Sequence, residues 1–101
     1  MKKLIIALIA AASLNVSAES SKLDKCYKVE ELAENIMMAR QQGNSMGDLM
    51  KIAEGNTLVE NIVADAFDFD FWSGEDMKQK EVNKFKTLWF KACYENIKES
   101  I

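Results

Sequence analysis

Residues 74–98 read GEDMKQKEVNKFKTLWFKACYENIK, and their spacing decides the fold. At about 100° per residue, Val82, Phe85, Trp89, Ala92, Cys93 and Asn96 gather on one face. Lys80, Lys84, Lys91 and Lys98 fall within about 40° of one another on the opposite face. An apolar stripe backed by charge marks a helix that lies on a core. Ser73 followed by Asp76 supplies a start signal, and no proline interrupts the run to Lys98. Cys93 falls on the face that this helix buries.

Working outward, the partner of Cys93 is Cys26, the only other cysteine. It stands at the edge of a second stripe, Val29, Leu32, Ala33, Ile36, Met37 and Ala39, which predicts a first helix from Asp24 to Gln42 with Gly43 as its terminator. Glu30, Glu31, Glu34 and Asn35 take the far side. A disulfide from the start of the first helix to the end of the last lays them antiparallel, with both termini at one end. The alternative is a bond between two chains. Within one chain it closes 68 residues, worth about 4.4 kcal/mol in the chain-entropy model. That is comparable with the roughly 4–12 kcal/mol of net stability expected for a chain of this size.

Two shorter helices fill the middle. One spans Met46–Glu54, with Ser45 and Asp48 at its start and Gly55 at its end. The next begins near Leu58, where Thr57 and Glu60 make a capping-box pair, and carries the stripe Leu58, Val59, Ile62, Val63, Ala66 and Phe67. The expected fold class is therefore all-α: a small bundle of about four helices, the first and last antiparallel and joined by Cys26–Cys93. Met37, Met46, Met50 and Met77 fit apolar faces as core filler, whereas Met38 and Tyr27 point away from the main stripe.

The chain opens Met1-Lys2-Lys3, continues with nine apolar residues from Leu4 to Ala12, and offers Val16-Ser17-Ala18 as a cleavage site. This pattern predicts a secretory signal peptide over residues 1–18 and a single helical domain over 19–101. Cys26 has no Leu-Ala-Gly before it, so no lipid anchor is expected. Two basic residues and a short apolar core point to the bacterial periplasm, whose oxidising conditions suit the disulfide. Loss of Lys2 and Lys3 takes the net charge from −3 to −5. That argues against nucleic acid and against an anionic membrane surface.

Catalytic signatures are absent. The chain has no histidine, no Gly-rich phosphate loop and no Cys-x-x-Cys, so neither an imidazole base, a zinc site nor thiol exchange is expected. Sixteen acidic residues give many carboxylate pairs, and spacing selects none of them. Asp68, Asp70 and Gly74 invite a calcium-loop reading, but the fifth, sixth and twelfth positions counted from Asp68 are Trp72, Ser73 and Gln79, which the loop does not accept. No cofactor and no metal are expected.

The stretch Asp68-Phe69-Asp70-Phe71-Trp72 stands where the helical pattern lapses, inside a run from Lys51 to Lys78 with seven acids and no base. Its rings either fold into the core or form an exposed aromatic knob with acidic flanks, a common protein-binding anchor. These five residues are the candidate partner-binding site, and the partner they suit is a basic protein. The lysine stripe of the last helix is either a solvated face or a second candidate. Arg40, the one arginine, is expected to serve the helix terminus or pair with Asp68 or Asp70.

Two runs carry a resemblance. Cys26-Tyr27-Lys28 through Met37-Met38-Ala39-Arg40-Gln41-Gln42-Gly43, and Asn83-Lys84-Phe85 through Trp89-Phe90-Lys91-Ala92-Cys93-Tyr94, resemble a group of small secreted proteins found in phages and prophages. That group has no established activity, so the resemblance implies no functional residues. The Cys-to-Cys frame is also similar in architecture to periplasmic acid-stress chaperones and to the Spackle type of phage lysozyme inhibitor. The resulting expectation is a non-enzymatic periplasmic protein-binding module, a phage-encoded modulator of a lysozyme-like envelope enzyme or of superinfection. An acid- or envelope-stress chaperone is the alternative, and an acid-based cell-wall hydrolase ranks below both. The oligomeric state is not legible.

Overall fold

The computed structural model describes residues 14–100. The apolar run Leu4–Ala12 of the expected signal peptide lies outside the described residues. Four helices follow in chain order: α1 Leu14–Gln41, α2 Met46–Ala53, α3 Thr57–Ala66 and α4 Glu75–Ser100. No strand occurs among the described residues. No helix among them is long and apolar enough to cross a membrane.

The two long helices form the frame and pack most closely. Three links fix their antiparallel register. Cys26 and Cys93 are bonded, with their Cα atoms 5.5 Å apart. Tyr27 lies against Phe90 with ring centroids 5.3 Å apart. Glu34 of α1 accepts from Lys86 of α4 at 3.3 Å. Each link further along α1 meets α4 at an earlier residue, as antiparallel packing requires. Both cysteines are thus bonded within one chain.

α1 begins at Leu14 rather than at Asp24, so the expected cleavage point after Ala18 falls inside the helix. No glycine or proline lies between Leu14 and Asp24, and nothing in that sequence opposes helix. Asp24 is an interior residue, not a cap. At the other end Gly43, at φ +100°, terminates α1 as expected. The Asn44 N–H donates to Ala39 O at 3.2 Å and the Gly43 N–H to Arg40 O at 3.0 Å, the pair of bonds that defines a Schellman end.

α2 starts as expected, with Ser45 Oγ accepting from the Asp48 N–H at 3.1 Å. Its end is unusual, because Glu54 (φ 51°) and Gly55 (φ 82°) are both left-handed. α3 is capped one residue earlier than expected. Asn56, not Thr57, is the cap, and its Oδ1 accepts from the Val59 N–H at 3.1 Å. Asn is as good a cap as Thr and reaches the same orphan donors.

α2 and α3 close over one end of the α1–α4 frame. Ala33, Ile36 and Met37 of α1 meet Leu49, Ile62, Val63 and Ala66, with Val82 and Phe85 of α4 completing the core. Four residues expected on buried faces stay outside: Met46 is 39% exposed and Leu58 is 43% exposed, and Ala92 and Asn96 of α4 are exposed as well. Met46 and Leu58 each stand in the first turn of a short helix.

Candidate functional site

The segment after α3 is the longest irregular stretch among the described residues, and neighbours from both long helices hold it. Phe67 ends α3, and the Asp68 and Phe69 N–H groups donate back to Asp65 O and Ala66 O at 3.1 and 3.2 Å. These tight turns drive Phe69 inward. Its ring meets Phe85 edge-on at 5.0 Å, and Phe85 in turn meets Trp89 at 6.4 Å. Lys84 covers the outer side of Phe69, with Nζ 5.6 Å from the ring centroid.

The last turn of α1 then grips the backbone of the segment. Gln41 is buried at 2% exposure. Its Nε2 donates to Asp70 O at 2.7 Å, and its Oε1 accepts from the Trp72 N–H at 2.9 Å. One side chain therefore satisfies two backbone groups that the lack of regular structure would leave unpaired. Arg40 adds a third hold, donating from one terminal nitrogen to Phe69 O at 3.4 Å.

Arg40 does not pair with Asp68 or Asp70. Its guanidinium lies 4.5 Å from the centroid of Phe67 and 5.4 Å from that of Phe71. A guanidinium is weakly hydrated and planar, so aromatic faces are a good setting for it. Lys78 Nζ stands 5.8 Å from the same Phe71 ring. The two cations hold Phe71 in place without covering it, and the ring is 51% exposed.

The five candidate residues therefore divide. Phe71 is the exposed ring. Asp68 and Asp70 are exposed on either side of Phe69. Trp72 is half-buried, and its Nε1 is buried without a hydrogen-bond partner. Phe69 belongs to the core side and offers its backbone carbonyl, not its ring, to the neighbourhood. Of the two dispositions expected for the rings, Phe69 takes the inward one and Phe71 the exposed one.

Gln41 and the manner in which Arg40 holds the segment are the structural details that the sequence did not reveal. A signal for Gln41 existed: it follows Met37 by four residues, so a polar amide sits on the buried face of α1.

The lysine face of α4 is solvated where it is described. Lys80, Lys84 and Lys91 are exposed, and Lys84 is engaged by Glu81 at 3.2 Å. Asp65, in the same acidic run as the loop, is occupied as the acceptor of Trp89 Nε1 at 2.9 Å. Among the described residues no three His, Cys, Asp or Glu side chains converge to hold a metal ion.

Comparison of the chain with family models, with curated proteins and with solved structures finds no match.

Proposed function

We propose that the protein is an exported, non-catalytic module that binds another protein through the segment Asp68–Trp72. The observation that carries this reading is the exposed Phe71 ring on a backbone fixed by Gln41 and Arg40. A rigid aromatic anchor loses little conformational entropy on docking, which is what distinguishes a binding anchor from an exposed apolar accident. Asp68, Asp70, Glu75 and Asp76 are exposed in the same stretch of chain, so a basic partner is favoured and its approach is accelerated at low salt. The resemblance to secreted phage proteins directs attention to envelope enzymes. A lysozyme-like enzyme is basic enough to seek an anionic cell wall, and it is the first partner to try.

The test is capture from periplasmic extract with the purified exported protein as bait, alongside Phe71→Ala as a matched bait. A defined partner retained by the first and lost by the second supports the proposal. Equal recovery on both baits contradicts it. With the partner in hand, Asp68→Asn combined with Asp70→Asn is expected to slow association at low salt while leaving dissociation nearly unchanged.

A further inference from the structure

Among the described residues, α2 is held to the rest of the molecule by packing alone. The two long helices share a disulfide and an ion pair, α3 is tied to α4 by the Asp65–Trp89 hydrogen bond, and the loop after α3 is tied to α1 by Gln41. No α2 side chain makes a hydrogen bond or ion pair to another helix; its one side-chain bond is its own Ser45 cap. The packing itself is thin. Of the four large apolar residues Met46, Leu49, Met50 and Ile52, Leu49 alone is buried, and Ile52 is 74% exposed. Ala53 is the other buried residue of the helix. α2 lies on α3 more closely than on either long helix. Its 8 residues are too few to persist as a helix in water without such support.

Both ends of α2 are joints. Gly43, at φ +100°, precedes it and Gly55, at φ +82°, follows it, each with open space where a side chain would stand. Glu54, beside Gly55, is held at φ 51°, a conformation that a non-glycine residue keeps only while its surroundings hold it there. The closed position of α2 therefore sets the burial of Leu49 and Ala53 against a strained joint, and lifting the helix lets Glu54 relax. We propose that α2 is a flap. With the rest of the fold intact, Met46–Ala53 leaves its seat as one unit about Gly43 and Gly55, and uncovers the cluster of Ile36, Met37, Ile62 and Val63 to which Leu49 belongs. A short helix anchored by one leucine, on a frame whose other parts are cross-tied, is the unit that opens first. The open molecule presents apolar surface that the closed one hides, while Gln41 keeps the Phe71 loop on α1. The flap does not rest on the reading of that loop.

The test is hydrogen exchange of the folded protein, disulfide intact, followed amide by amide by NMR from no urea to the foot of the unfolding transition. The amides of residues 49–53 are expected to share one level of protection, roughly a hundredfold below that of Met37, Ile62 and Phe85. Their protection is expected to fall with urea, but less steeply than that of the core amides, because a flap exposes less surface than global unfolding. Glu54→Gly, which removes the strain from the closed joint, is expected to raise the protection of residues 49–53 about two- to fivefold. Protection of residues 49–53 equal to that of Phe85 means that α2 opens only with the whole fold, and overturns the proposal. Protection that differs from residue to residue and ignores urea means fraying rather than a flap, and overturns it too. A Glu54→Gly variant whose residues 49–53 are no better protected contradicts the strained joint and overturns it as well.

Discussion

Gln41 ties the loop after α3 to the last turn of α1. Both ends of its amide are used on a backbone segment 29 and 31 residues away. Gln41→Ala leaves Asp70 O and the Trp72 N–H without their partners, and a lost buried bond of this kind costs about 1–3 kcal/mol. Urea unfolding should show a drop of that size, whereas the exposed neighbour Gln42 changed to Ala should stay within about 0.5 kcal/mol. Glu54 offers the opposite case. It holds a left-handed conformation at φ 51° with nothing forcing its side chain to be there. A non-glycine residue in that region is strained by roughly 1–2 kcal/mol. Glu54→Gly should raise stability by about 0.5–1 kcal/mol once the greater freedom of glycine in the unfolded chain is counted. Failure of thermal melting to show any gain would contradict this.

At the scale of elements, the caps set the boundaries. Asn56→Ala should cost about 1 kcal/mol because the Val59 N–H loses its acceptor. Thr57→Ala should cost little, and the reverse order would restore Thr57 as the cap. Much of this level was legible. The stripe Val82–Phe85–Trp89 on α4 and the run Ile62–Val63–Ala66 on α3 are buried or half-buried because the 3.6-residue period leaves those positions no other direction. Gly43 ends α1 because only glycine takes that backbone angle freely. What the pattern could not show depends on partners distant in sequence. Periodicity lapses at Asp68–Trp72, and there each ring is directed by tight turns and by side chains of α1 that no local spacing reveals. Phe69 turned inward and Phe71 outward for that reason. The start of α1 was missed because a stretch with neither breaker nor amphipathic stripe carries no boundary signal.

The molecule as a whole is a two-helix frame pinned at one end by a disulfide and closed at the other by two short helices and a loop. Reduction, or Cys93→Ser, removes a link spanning 67 positions, worth about 4 kcal/mol. For a domain of this size that is a fall in melting temperature of roughly 20 °C. The pinned end should fray first, since the core of Ile62, Val63 and Phe85 is gathered under α2 and α3. Phe71 is exposed although its neighbour Phe69 packs on the core, so binding through Phe71 should be separable from folding.

That separation is the central claim, and Phe71 tests it most directly. The ring is half in solvent, so its removal should leave melting within a few degrees of the parent. Calorimetric titration of Phe71→Ala against the partner recovered by the unaltered protein should show binding weaker by about 2 kcal/mol, roughly thirtyfold. An affinity equal to the parent's, or a loss matched by loss of the folded state, would contradict the account.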